Sequence, residues 1–159
     1  MRYSADPKVI LRHPIHLFAF GFGAGLSPRA PGTIGTVVAM PITWCLLHLP
    51  LGYYLCCVVM LSLFGIYVCG ESAKRLAVHD HPGIVWDEIV GYAITMIAVP
   101  CTWPYFLEGF VLFRLLDIIK PWPIREADHR LSGGLGIMLD DVMAGLVACA
   151  LLHITQRFL

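Results

Sequence analysis

The sequence predicts an all-α protein, a polytopic membrane bundle of about five apolar helices within one domain that covers residues 1–159. Composition is the first reason, since 58% of the residues are hydrophobic, 14% are charged and the mean hydropathy is +0.74. That is far more apolar than an average soluble domain. The second reason is that the apolar residues form runs close to the length that crosses a bilayer. The third is a pair of glycine-rich stretches that punctuate these runs.

The apolar runs cover residues 34–49, 53–70, 88–100, 105–120 and 137–154 and follow a polar tail at 1–13. Lysine and arginine lie before the first run, between the second and third, and between the fourth and fifth. The other turns, at Pro50 and Thr102, carry neither residue. Because cytoplasmic loops are enriched in lysine and arginine, we expect the basic loops and both glycine-rich stretches to face the cytoplasm. We expect no signal peptide, since the first apolar stretch is interrupted and lacks a cleavage site.

Charge and cysteine usage exclude several classes of function. The net charge is zero and no basic patch interleaved with aromatic residues is present, so we expect no nucleic-acid partner. The six cysteines include no CxxC pair, and nearly all lie inside apolar runs. We therefore interpret them as free buried thiols rather than as a disulfide framework or a zinc site.

The first glycine-rich stretch, residues 21–36, contains five glycines and two prolines, which forbid a regular helix through it. We expect the next helix to begin near Thr33 or Thr36. Its N-terminus and the exposed backbone N–H groups would then suit an anion such as phosphate. The stretch is not a Walker loop, because no Gly-Lys-Ser/Thr follows. A turn that serves close packing is the alternative. A second glycine-rich turn covers residues 132–136.

Acidic residues interrupt the apolar runs at three places that the predicted topology brings to one membrane boundary. Asp87 and Glu88 open the third run, Asp117 lies near the end of the fourth, and Asp140 and Asp141 lie early in the fifth. Any one of them alone could be an interfacial charge or part of a structural salt bridge. Taken together they indicate a functional site, since ionisable residues within a membrane are costly. Carboxylates combined with substrate phosphate are typical ligands of Mg²⁺, which predicts a magnesium site here.

Basic side chains near the same boundary are candidates for phosphate binding. Lys120 and Arg125 flank a proline-rich turn, where they could meet a phosphate at the interface. Arg114 is three residues before Asp117, so these two could simply pair on one helix face. His79 is a candidate for protonating a leaving group, although a solvated loop histidine is the more common reading.

These residues fall into motifs that resemble, in the same order, those of the phosphatidylglycerophosphatase A family, over about residues 14–145. The motifs are Gly21 to Pro28 with Pro31-Gly32-Thr33, His79 to His81, Val85 to Glu88, Asp117 with Lys120 to Arg125, and Gly133 to Met138 with Asp140, Asp141, Ala144 and Gly145.

The resemblance implies an α-helical, Mg²⁺-dependent phosphatase of the bacterial inner membrane that acts in phospholipid biosynthesis. It would hydrolyse phosphatidylglycerophosphate to phosphatidylglycerol and inorganic phosphate, with its active site facing the cytoplasm. Individual roles do not come with the resemblance, and our division of them is a hypothesis. The metal ligands would be Asp87, Glu88, Asp117, Asp140 and Asp141. The catalytic residues would be Asp87, Glu88, Asp140, Asp141 and His79. The phosphate contacts would be Ser27, Thr33, Lys120 and Arg125.

A small cation-coupled membrane transporter is the alternative from another class, because it also places carboxylates near broken helices. It predicts charges near the bilayer midplane, whereas these carboxylates cluster at the ends of the runs. A structural membrane subunit does not explain five acidic residues on one edge. The number of metal ions, the choice between direct water attack and an aspartyl-phosphate, and the oligomeric state stay open, with a homo-oligomer among the alternatives.

Overall fold

The fold of the chain comes from a computed structural model that describes residues 7–78, 81–122, 124 and 133–157. Within these residues the regular secondary structure is helical and includes no strand, as the sequence predicts. A 3₁₀ turn, Gly21–Leu26, joins the second helix to the third. The α-helices are α1 Pro7–Arg12, α2 Pro14–Ala19, α3 Pro31–Leu46, α4 Leu51–Arg75, α5 Trp86–Thr95, α6 Trp103–Ile119 and α7 Gly133–Thr155.

Each of the five apolar runs overlaps one of the helices α3 to α7, but the helices differ from the runs in their bounds and lengths. Two of them, α4 with 25 residues and α7 with 23, are long and apolar enough to cross a membrane, by length and composition alone. The helices α3 and α6 have 16 and 17 residues. The third run differs most, because α5 has ten residues and ends at Thr95, before the run ends.

The short helix α5 forms the centre of the fold. Eight of its ten residues are buried, and it packs against α3, α4, α6 and α7. Its contact with α7 is close because both helices present a glycine: a Cβ atom on Gly145 would overlap the carbonyl oxygen of Gly91. Small residues let helix backbones approach in this way. The first turn of α5 is therefore held beside the part of α7 that carries Asp140 and Asp141.

Side chains from distant helices satisfy the carbonyl groups around the end of α5. The hydroxyl of Tyr54 on α4 donates to the carbonyl of Ala93 at 2.5 Å. On the other side, Nε2 of His153 on α7 lies 2.9 Å from the carbonyl of Ile97. The last carbonyls of a helix lack partners within the helix, and leaving them buried and unpaired is costly. These two contacts let α5 end inside the protein.

None of the six cysteines, all of which lie within the described residues, forms a disulfide, as expected. Their predicted burial is wrong for Cys45 and Cys56, which are exposed on the outer faces of α3 and α4. An apolar run does not distinguish the inner from the outer face of a helix when both faces are apolar.

The N-terminal helices are attached to the end of α4 through a buried histidine. Nδ1 of His16 lies 2.8 Å from the hydroxyl oxygen of Ser72, and His13 and Arg75 lie close to it. Burial, followed by the charges of His13 and Arg75, lowers the pKa of His16 below its ordinary value of 6.5. His16 lies outside α4 and α7, the two helices long enough to cross a membrane.

Acidification should therefore destabilise the protein through His16. The neutral His16 side chain contributes its full share of stability above the pKa that it has in the unfolded chain. This stability is lost as the pH falls through the lower pKa of the folded protein, because the unfolded chain gains the proton more readily. We expect the melting temperature in detergent to fall more between pH 7.5 and 5 in wild type than in His16→Gln. His48→Gln, a change at an exposed histidine, should keep the wild-type pH dependence. Identical pH profiles for wild type and His16→Gln would contradict this.

The contact between α5 and α7 should tolerate no added side chain. We expect Gly145→Ala to lower the free energy of unfolding by about 1–3 kcal/mol, since the methyl group meets rigid backbone. Gly52→Ala is the matched control: no atom lies within 4 Å of its Cβ position, so it should raise stability by roughly 0.5–1 kcal/mol. Denaturant unfolding in detergent measures both variants, and equal stabilities would show that the two helices are not in close contact.

Candidate active site

Five carboxylates from α5, α6 and α7 meet in one place. They form two groups, Asp87 with Glu88 and Asp141, and Asp117 with Asp140 and Asp141. Within each group, one oxygen from every carboxylate lies within 4.8 Å of the others. Asp141 belongs to both groups and is only 3% exposed. We call these five residues the carboxylate cluster.

Two cationic side chains within the described part of the chain contact the carboxylate cluster. Nη1 of Arg114 lies 2.5 Å from Oδ2 of Asp117 and 3.8 Å from Oε1 of Glu88. Nζ of Lys120 lies 2.5 Å from Oδ2 of Asp140. Among the residues that the structure describes, two positive charges do not balance five carboxylates, and like charges this close in a buried site repel strongly. The cluster therefore favours an additional cation.

The donor set suits Mg²⁺. Every potential ligand in the cluster is a carboxylate oxygen, which is the type that this hard cation prefers. In addition, Oε2 of Glu88 is buried and has no hydrogen-bond partner within the described residues. A buried polar atom in that state is costly and calls for an unseen ligand such as an ion or water. A cation held by Asp87, Glu88 and Asp141 would remove this cost.

The first glycine-rich stretch reaches the cluster through Gly32. The helix α3 begins at Pro31, so the expected start near Thr33 or Thr36 is wrong by at least two residues. Proline suits this first position because it needs no N–H partner there. A Cβ atom on Gly32 would overlap Oε1 of Glu88 and would lie 3.1 Å from Nη1 of Arg114. The N-terminus of α3, which favours negative charge, thus has a carboxylate of the protein beside it.

The glycine-rich stretch is also closely packed, which was the alternative interpretation of its glycines. A Cβ atom on Gly25 would overlap the carbonyl oxygen of Gly83, and one on Gly35 would lie 2.7 Å from Cβ of Val85. The stretch is thus packed directly onto the segment that leads into α5. This packing places Glu88 beside α3.

The proposed phosphate contacts differ in their hydrogen-bond partners and in their distance from the carboxylate cluster. The hydroxyl of Ser27 donates to the carbonyl of Arg29 at 2.8 Å, and Thr33 lies half-buried in the first turn of α3. Lys120 contacts the cluster through Asp140. Arg125 and the candidate acid His79 lie outside the described residues.

Arg114 is the site residue that sequence reasoning underrated. Its three-residue spacing from Asp117 is sufficient to explain a structural pair, and that pair is present. Its further contact with Glu88 joins residues 26 positions apart, which no local pattern reveals. An arginine inside an apolar run, near several carboxylates at one predicted membrane boundary, was the available signal.

Comparison with known proteins places the chain among phosphatases. The family model described as Phosphatidylglycerophosphatase A matches residues 17–156. A relative named Phosphatidylglycerophosphatase A from Escherichia coli K12 is 44% identical over 94% of this chain and 87% of its own length. One of the same name from Haemophilus influenzae is 43% identical over 96% of this chain and 94% of its own length. A Bacteroides thetaiotaomicron relative, provisionally named a phosphatidylinositol-3-phosphatase, is 36% identical over 88% of this chain and 92% of its own length. No solved structure matches the chain.

Proposed function

Because the chain belongs to the phosphatidylglycerophosphatase A family, and is therefore a phosphatase, we propose that it hydrolyses phosphatidylglycerophosphate to phosphatidylglycerol and inorganic phosphate. The observation that carries the proposal is the carboxylate cluster, in which three helices bring five acidic side chains together. A structural or purely packing role would not require so many like charges in one buried place.

Magnesium is the cofactor that we propose, held by Asp87, Glu88 and Asp141 and by the neighbouring group of Asp117 and Asp140. When bound, the ion would neutralise phosphate charge and polarise a phosphate oxygen. The carboxylates would fix its position from rigid helices, which orients it better than loop residues would. Asp141, shared by both groups, is the residue whose loss should affect the site most.

The cationic side chains would allow the phosphate group to bind by offsetting the negative charge of the cluster. A phosphate monoester carries close to two negative charges at neutral pH, and the carboxylate cluster alone would repel it. Lys120 and Arg114 reduce that repulsion on the α6 side of the cluster. Ser27 and Thr33 remain proposed phosphate contacts on the side of the glycine-rich stretch, and His79 and Arg125 remain proposals from sequence alone.

We further propose that the protein lies in the bacterial inner membrane as a bundle of α3 to α7, with the cluster at the cytoplasmic face. The lengths of α4 and α7 support this. So does the outer face of α4, where Met60, Leu63 and Tyr67 are each more than half exposed. The helix α5 is too short to span, at about 1.5 Å per residue. It continues into turns whose residues Met96 and Val99 are buried, and irregular backbone is tolerated at membrane depth when protein covers it.

Phosphate release from phosphatidylglycerophosphate by the purified protein in detergent tests the proposed function. Wild type should release phosphate with Mg²⁺ and lose activity in EDTA. The Asp141→Asn variant should lose roughly 100-fold or more in kcat, since the substitution removes the carboxylate that both residue groups of the cluster share. Its Mn²⁺ affinity, measured by electron paramagnetic resonance, should fall in parallel.

Glu108→Gln is the control for this experiment, because Glu108 shares α6 with Asp117 but belongs to neither group. It should keep both activity and Mn²⁺ affinity. Absence of phosphate release by folded wild type, with verified lipid and metal, would reject the phosphatase function. Activity that survives complete metal removal would reject the cofactor alone.

Reporter insertion tests the proposed orientation. Alkaline phosphatase, which folds only outside the cytoplasm, should be active when inserted at Pro50 or Thr102 and inactive when inserted at Ala77. The reason is that Lys74 and Arg75 lie in the last turn of α4, just before Ala77, whereas the turns at Pro50 and Thr102 carry no basic residue. The reversed pattern of activity would place the carboxylate cluster on the outer face and would contradict the orientation.

A further inference from the structure

We propose that Arg114 binds the phosphate group of the substrate through the edge of its guanidinium that carries Nε, while Asp117 holds the opposite side. This inference rests on the proposed function, because it concerns the phosphate that the same site would hold. It assigns the main phosphate contact to a residue that the sequence motifs do not single out.

Arg114 is held rigidly within the site. It lies on α6, five residues before the helix ends at Ile119, and its side chain is 13% exposed. Nη1 is 2.5 Å from Oδ2 of Asp117 and 3.8 Å from Oε1 of Glu88. Both anchoring contacts use the same nitrogen. The guanidinium is therefore fixed in place without using its Nε donor.

The guanidinium also carries a buried donor on the side away from Nη1. Nε of Arg114 is buried and has no hydrogen-bond partner within the part of the chain that the structure describes. Arginine carries five N–H donors in a planar fork, and Nε and Nη2 form the edge opposite Nη1. That edge is the one that can bind a phosphate with two parallel hydrogen bonds. Because an unpaired buried donor on a charged group is costly, an oxyanion bound there would remove an existing penalty.

The N-terminus of α3 supplies a second source of positive potential beside Arg114. The Cβ position of Gly32 lies 3.1 Å from Nη1 of Arg114. The first backbone N–H groups of this 16-residue helix have no partners within the helix, and such groups favour anions. This helix end lies on the Nη1 side of Arg114, where the carboxylate of Glu88 fills the position that a side chain on Gly32 would take. It therefore contributes positive potential to the region around Arg114 rather than a contact at the Nε edge.

Two of the other proposed phosphate contacts, Lys120 and Ser27, already have a hydrogen-bond acceptor in this structure. Nζ of Lys120 donates to Asp140, and the hydroxyl of Ser27 donates to a carbonyl of its own loop. Lysine would also bind phosphate as a point charge, without the paired geometry that arginine offers. The geometry therefore favours Arg114 as the group that orients the phosphate.

Arg114→Lys is the variant that tests this inference, because lysine keeps the positive charge beside Asp117 but lacks the Nε edge. We expect the KM for phosphatidylglycerophosphate and the inhibition constant of inorganic phosphate to rise by roughly 10- to 100-fold, as for loss of hydrogen bonds to a charged group. Mn²⁺ affinity, measured by electron paramagnetic resonance, should change less than about twofold, because the metal ligands are intact. Arg75→Lys is the control: this arginine pairs with Glu71 outside the site and should change neither constant.

Three outcomes would overturn the inference. The first is an unchanged inhibition constant in Arg114→Lys. The second is a loss of Mn²⁺ affinity with no change in phosphate binding, which would mean that Arg114 only positions Glu88 and Asp117. The third comes from NMR of folded wild type labelled with ¹⁵N at arginine. The inference fails if the Nε–Hε signal of Arg114 does not shift at saturating inorganic phosphate. This last measurement decides the question if the variant does not fold.

The experiment separates this inference from the proposed function. If wild type releases no phosphate from the lipid, the proposed function fails, whatever Arg114 does. If wild type is active and inhibited by phosphate but Arg114→Lys is inhibited equally, the inference about Arg114 alone fails.

Discussion

The close packing of α5 on α7 is the contact on which the rest of the structure depends. The backbone of Gly145 lies against the carbonyl of Gly91, an approach that a side chain on Gly145 would prevent. This approach sets the distance between Asp87 and Glu88 on one helix and Asp140 and Asp141 on the other. Carboxylates brought so close repel each other, so the packing of apolar surface must supply the stabilisation that the cluster lacks. A buried α5, with contacts to four helices, provides that surface.

Electrostatic compensation in the site comes from several elements. Arg114 and Lys120, both near the end of α6, face carboxylates of α5, α6 and α7. The N-terminus of α3 adds a partial positive charge beside Glu88. Among the described residues, these charges still leave the cluster negative, which is unfavourable for the protein alone and favourable for binding a divalent cation. Proteins tolerate such local conflict mainly at functional sites.

The parts of this fold that were predictable from sequence depend on composition and on loop charge. Apolar runs indicate helices because a buried or membrane-exposed segment needs its backbone hydrogen bonds satisfied internally. Lysine and arginine in alternate loops then bring Asp87, Asp117 and Asp141 to one end, and the structure places them together. The end of α5 at Thr95 was not predictable, since it depends on Tyr54 and His153, which lie far away in sequence.

The glycine-rich stretch shows why the site itself was only partly predictable. Its glycines allow both anion binding and close packing, and local sequence cannot distinguish them. The structure contains both features at Gly32, because the packing that brings α3 onto the start of α5 also presents the N-terminus of α3 to Glu88 and Arg114. A carboxylate and an arginine share that helix end, so the arginine is the group left to meet an incoming anion. Local sequence cannot distinguish anion binding from close packing in this stretch. The contact between Glu88 and Arg114, which are far apart in sequence, places charged groups at the helix end and so favours a chemical role for it in addition to packing.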